Sequence, residues 1–213
     1  MVSRGRFGLL ILAWLLTTPA VASAERVIVA LGDSLTAGLG VTADAAYPAL
    51  VEARLRREGF DYRVVNAGVS GDTSAGGLRR VEWVLRARPE IVIVALGAND
   101  GLRGLSVAAL RDNLTAIVTR LRAGGARVVL AGMRMPPNYG EAYTKEFAAA
   151  FPSVARATSS TLLPFLLQGV AGETWLNQPD GIHPNGAGHA AIAEMVWRAL
   201  RPLLQRDGGG GRI

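Results

Sequence analysis

The feature that most constrains the fold is a series of short apolar runs that do not alternate with polar residues. Residues 27–31 and 91–96 are apolar at every position, and residues 62–67, 127–132 and 161–165 are shorter or weaker versions of the same pattern. A strand with one face in water alternates; a strand covered on both faces does not. Helical spacing fills the gaps. Tyr47, Leu50, Val51 and Leu55 form one stripe, with Pro48 suited to a first turn and Gly59 to a stop. Leu78, Val81 and Leu85 share a face within residues 73–87. Leu110, Leu114, Ile117, Val118 and Leu121 form a third stripe, between a capping Ser106 and Gly124-Gly125. A helix is expected over residues 143–159, interrupted or ended by Pro152, and a last one over residues 186–200. Strands alternating with helices predict a five-stranded parallel sheet in a three-layer α/β/α sandwich, doubly wound like flavodoxin. One domain is expected over residues 25–205, with residues 206–213, rich in glycine, as a flexible tail.

The N-terminus does not fit that pattern. Arg4 and Arg6 precede an apolar stretch over residues 7–16, too short to span a bilayer comfortably, and Ala22-Ser23-Ala24 has the form of a cleavage site. Residues 1–24 are therefore expected to be a signal peptide, leaving an exported, periplasmic or secreted, protein without a stable membrane anchor. The chain contains no cysteine, which excludes disulfides, thiolate metal sites and cysteine nucleophiles. Its formal net charge of +6 includes the two leader arginines and is not gathered into a dense basic block with interleaved aromatics. Nucleic acid is not an expected partner.

Ligands of such sheets bind beyond the carboxyl ends of the strands. Ser34 lies directly after the first run, in Gly32-Asp33-Ser34-Leu35. There it can cap the following helix or act as a nucleophile whose backbone N–H faces a developing oxyanion. Thr36 stands where the second glycine of a G-x-S-x-G elbow would be. A serine nucleophile needs a base, and the chain has two histidines. His183 lies in the turn-rich segment Asp180-Gly181-Ile182-His183-Pro184, where Asp180 can orient its ring. His189 shares a helical face with Ile192 and Val196 and reads as a packed structural residue. Asn99 and Gly71 follow the third and second runs; each can donate to an oxyanion or simply make a turn. Gly38-x-Gly40-x-x-Ala43 nominally fits a dinucleotide fingerprint. It starts too far past the strand, and Asn66 stands where an acidic residue is required.

In their order along the chain, Gly32-Asp33-Ser34-Leu35, Gly71, Gly97-x-Asn99-Asp100 and Asp180-x-x-His183 resemble the SGNH (GDSL-type) hydrolase superfamily across nearly the whole mature chain. Longer stretches, such as residues 31–38, 97–104 and 180–185, are similar to its bacterial periplasmic thioesterase, lysophospholipase and arylesterase branch. The resemblance implies a Ser34, His183 and Asp180 triad, and an oxyanion hole of the Ser34 and Gly71 N–H groups and the Asn99 amide. It implies no metal or cofactor. Asp33, Asp72 and Asp100 are implied to be structural, and residues 97–104 a mobile loop shaping the acyl site. The expected activity is hydrolysis of small-molecule aryl esters, acyl thioesters or lysophospholipids through an acyl-enzyme, by a monomer. A carbohydrate acetylesterase of the same superfamily is the alternative. Arg134, Met135, Pro136 and Tyr139, after the fourth run, are expected to border the substrate; Trp175 and Leu176 read equally as acyl contacts or as core.

Overall fold

The computed structural model describes residues 26–208; the expected signal peptide and residues 209–213 lie outside them. Five parallel strands, β1 (Arg26–Gly32), β2 (Tyr62–Gly68), β3 (Ile91–Ala95), β4 (Arg127–Ala131) and β5 (Thr161–Leu163), form one sheet in the order β2-β1-β3-β4-β5. β3 is buried at all five positions and β1 at all but its first, which explains their unbroken apolar character. Helices α1 (Ser34–Ala37), α2 (Tyr47–Arg57), α3 (Ser74–Arg79), α4 (Val81–Arg86), α5 (Ala98–Leu102), α6 (Val107–Ala123), α7 (Glu141–Thr158) and α8 (Gly186–Gly208) complete the chain. α2 packs with α8 in one layer, and α6 packs with α3, α4 and α7 in another. Among the described residues, no helix is long and apolar enough to cross a membrane.

Three expectations change. The single helix over residues 73–87 is two, α3 and α4, meeting at Arg80. The Arg80 side chain turns back to the strand ends, donating to the carbonyls of Ala67 at 2.8 Å and Gly32 at 3.2 Å. Pro152 neither ends nor splits α7, which runs on to Thr158. Phe147, Phe151, Val154 and Ala155 on either side of it are buried, so packing outweighs the hydrogen bond that proline cannot donate. The last helix passes Leu200 and Pro202 and continues to Gly208, taking in the start of the expected tail.

The sheet order reverses between β1 and β3, so the connections that leave these two paired strands part to opposite sides and open a crevice between them. Gly32 pairs with both Gly68 and Ala95, so β1, β2 and β3 end level with one another. The segments that follow them therefore begin side by side. Both glycines are demanded by close approach. A Cβ on Gly32 would lie 2.0 Å from the Thr36 hydroxyl, and one on Gly68 would lie 2.2 Å from the Ala37 nitrogen. α1 can fold directly over the strand ends only because these positions carry no side chain.

Candidate active site

The chain leaves β1 through Asp33, and it is Asp33, not Ser34, that caps α1: its Oδ1 accepts from the Leu35 N–H at 3.0 Å. The Ser34 hydroxyl is thereby released from capping. It points to His183, with Oγ 3.0 Å from Nε2. On the other side of the ring, Nδ1 lies 2.6 Å from Asp180 Oδ2. Asp180 Oδ1 closes a turn by accepting from the Ile182 and His183 N–H groups, each at 2.9 Å. Those backbone bonds first, and the bond to the ring second, hold the Asp180 carboxyl down at about 2. It is thus ionised and can only accept, so Nδ1 must carry the ring proton. Nε2 is left as an acceptor for the serine hydroxyl.

The His183 segment is anchored by Gln178. The Gln178 Nε2 donates to the Leu39 carbonyl at 2.7 Å and to the Pro184 carbonyl at 3.0 Å, and its N–H donates to the His183 carbonyl at 2.7 Å. One side chain thus ties the histidine loop to the segment after α1. Neither Gln178 nor Arg80 carried a signal in the sequence, because each acts on carbonyls far away along the chain.

Asn99 stands in the first turn of α5, after Gly97 with a φ of +115°. Its Nδ2 donates to the Asp72 carbonyl at 3.0 Å and more weakly to Asp33 Oδ2 at 3.4 Å. Gly71 occupies a turn with a φ of +80°, closed by the Asp72 N–H donating to the Val69 carbonyl at 3.0 Å. Among the described residues, no acceptor engages the N–H of Ser34 or of Gly71. The structure therefore sets the Ser34 hydroxyl, just after β1, against a histidine that is itself held by Asp180, with Gly71 and Asn99 in the segments that follow β2 and β3.

The neighbouring carboxylates have other work. Asp72 is paired with Arg80, whose Nε and Nη2 donate at 2.9 and 2.6 Å. Asp100 accepts from the Ser74 N–H at 2.8 Å and its hydroxyl at 2.6 Å, joining α5 to α3. Asp33 is wholly buried, and burial pushes its carboxyl up to about 6. His189 is also buried; its Nδ1 accepts from the Tyr47 N–H at 3.3 Å and its ring stacks on Tyr47. Burial lowers its pKa, as expected for a structural histidine kept neutral.

After β4, Met135 packs half-buried against Gly101 and Phe147, and the Tyr139 hydroxyl donates to the Leu102 carbonyl at 3.1 Å. Arg134 is exposed, its guanidinium 5.1 Å from the centre of the Phe165 ring, and Pro136 is exposed at the start of the same turn. Leu176 is buried in the core, whereas Trp175 is 69% exposed. Of the segment over residues 97–104, Ala98–Leu102 is the helix α5, held by these tyrosine and aspartate contacts.

Comparison with known proteins identifies the family. Over 183 residues, covering 85% of this chain and 91% of the relative, the sequence is 45% identical to an esterase, TesA, of Pseudomonas aeruginosa. It is 38% identical over 187 residues to a thioesterase 1/protease 1/lysophospholipase L1 of Escherichia coli, covering 87% of this chain and 88% of that protein. A crystal structure of TesA superposes with a TM-score of 0.82 at 45% identity, covering 84% of this chain and all of that one. The model of the GDSL-like lipase/acylhydrolase family matches residues 30–191, a span that runs from β1 past both His183 and His189. By sequence and by fold, the chain belongs to the GDSL-like lipase/acylhydrolase family.

Proposed function

We propose that this family member hydrolyses carboxylic esters and thioesters with Ser34 as nucleophile, His183 as general base and then acid, and Asp180 as the group that orients the ring. The observation that carries the reading is the unbroken relay from Asp180 Oδ2 through His183 to Ser34 Oγ, at 2.6 and 3.0 Å. His183 Nε2 takes the hydroxyl proton as Oγ attacks the acyl carbonyl. The negative oxygen is received by the Ser34 and Gly71 N–H groups and the Asn99 amide. For that, Asn99 gives up only its long contact to Asp33 and keeps its bond to Asp72. Nε2 passes the proton to the departing alcohol or thiol. Water, deprotonated at the same nitrogen, then releases the acid and restores Ser34.

The acyl group is apolar, and the leaving group is loosely specified: an aryl alcohol, a thiol or a lysophospholipid. Met135, Pro136 and Tyr139 form one wall of its site, with Arg134 at the outer edge. Support comes from their position after β4 and from the contacts of Met135 and Tyr139 with α5, the helix that carries Asn99. The chain acts as an exported monomer, freed of its leader near residue 25 and without a membrane anchor.

Ser34→Ala tests the assignment. Turnover of p-nitrophenyl acyl esters and labelling by a fluorophosphonate should both vanish, and persistent labelling would identify another serine. A chain-length series of acyl esters and thioesters on the mature protein should show turnover beyond acetyl. Activity confined to acetyl esters would instead mark a carbohydrate acetylesterase.

A further inference from the structure

Arg103 is the C-cap residue of α5 and follows Asn99 by four positions, so the two side chains leave the same face of one helical turn. Both reach the same loop. Asn99 Nδ2 donates to the Asp72 carbonyl at 3.0 Å, and Arg103 Nη2 donates to the adjacent Gly71 carbonyl at 2.9 Å. Two consecutive carbonyls of the loop are therefore held from one helix face. At Gly71 this matters more than elsewhere. Its φ of +80° is a conformation that glycine enters and leaves without a side-chain barrier, so local sterics do not fix the direction of its N–H. The guanidinium also lies against the open side of that glycine, with Nη2 3.6 Å from where a Cβ would stand.

We propose that Arg103 is a positioning residue for the oxyanion hole: by holding the Gly71 carbonyl, in the peptide unit after the one that carries the Gly71 N–H, it restricts rotation about this glycine and so limits the directions in which that N–H can meet the developing negative charge. This rests on the reading of Gly71 and Asn99 as oxyanion donors. The arginine is exposed, so its bond exchanges readily with water and contributes little to the fold. Its effect belongs in the transition state, where a donor displaced by a fraction of an ångström loses much of its value.

The test uses the mature enzyme, a p-nitrophenyl ester and a p-nitrophenyl phosphonate, whose phosphoryl oxygen would occupy the same hole while Ser34 is phosphonylated. A single lost donor typically costs on the order of 10²–10³ in kcat, so a misdirected one should cost about tenfold. Arg103→Ala should lower kcat by about that factor, slow phosphonylation in parallel, and leave KM and Tm nearly unchanged. Arg103→Lys should recover part of both rates. Unchanged kcat, a change confined to KM, or a kcat loss without slower phosphonylation would overturn the proposal. Ser34→Ala and Asn99→Ala are measured alongside. If they retain turnover, the proposed chemistry itself is wrong; if they lose it while Arg103→Ala does not, only the role of Arg103 falls.

Discussion

At the amino end of the sheet, Arg26, Tyr62 and Arg127 take the first positions of β1, β2 and β4, and Glu90 stands just before β3. The Glu90 carboxylate accepts from Arg26 Nε at 2.6 Å and Nη2 at 2.5 Å, from Arg127 Nη2 at 2.5 Å and from the Tyr62 hydroxyl at 2.9 Å. At the carboxyl end, the segments after β1, β2 and β3 also carry polar residues, Asp33, Asp72 and Asn99 among them, yet their hydrogen bonding is arranged differently. Asp33 spends one oxygen on a cap and leaves the Ser34 hydroxyl to His183. The amino end gathers donors on one carboxylate; the carboxyl end sets a hydroxyl against a histidine that is itself held by Asp180. The difference teaches that polar residues at strand ends do not by themselves make a site. Burial raises the Glu90 pKa, but the hydrogen bonds from Arg26 and Tyr62 outweigh it, and the group stays below the ordinary carboxylate range. At Asp33 burial outweighs the Leu35 N–H bond and the influence of His183, and the carboxyl is pushed up.

The two histidines give the sharpest break between working and structural groups. His183→Ala should lower kcat by about 10⁴-fold or more, while His189→Ala should keep most activity and lose stability instead. Ester turnover and thermal melts on both variants check this, and the reverse pattern would exchange their roles. Asn99→Ala should cost on the order of 10²–10³ in kcat. A loss below about threefold in a folded protein would remove Asn99 from the oxyanion hole. The amino end should respond in the opposite sense. Glu90→Ala removes the one acceptor that Arg26, Arg127 and Tyr62 share, and should lower stability by about 1–3 kcal/mol with kcat unchanged. Denaturant unfolding against esterase assay separates these two effects, and a kcat loss as large as the stability loss would show that the ends are coupled.

Asp33 offers the most diagnostic effect, a change that only pH reveals. Its folded-state pKa, about 6, is raised from an ordinary 3.8, so the folded protein binds that proton more tightly than the unfolded chain. The associated stability is complete below the ordinary value and is lost as pH rises through about 6. Above that, an ionised, buried Asp33 costs on the order of 2–3 kcal/mol. Asp33→Asn retains a cap acceptor and removes the charge. Its Tm relative to the parent should therefore be higher at pH 8 than at pH 5. A difference independent of pH would show that Asp33 ionises alike in the folded and unfolded chains and that burial does not raise its pKa.

The sheet was legible because β1 and β3 are buried on both faces, and only apolar, β-branched sequence satisfies that burial. The helix over residues 107–123 was legible for the converse reason, a single buried stripe closed by its own cap and glycines. The continuity of the helix through Pro152 and the break at Arg80 were not legible because both are set by tertiary contacts: packing on either side of a proline, and a guanidinium reaching back to two strand-end carbonyls. Asp180 and His183 were legible as a pair, being three residues apart in one turn.

For Ser34 the sequence alone was ambiguous, since a serine before a short helix is an ordinary cap. The sequence by itself determined the order of strands and helices, the absence of any thiol and the set of residues that can do acyl transfer. Only the tertiary structure decided which of them meet. β1, β2 and β3 end level because Gly32 and Gly68 let α1 lie on them, and Asp33 takes the cap so that Ser34 need not. The separation of 149 positions between Ser34 and His183 is bridged by their own contact and by the Gln178 anchor. Contacts over such separations depend on the packing of the whole domain, which no local stretch of sequence contains.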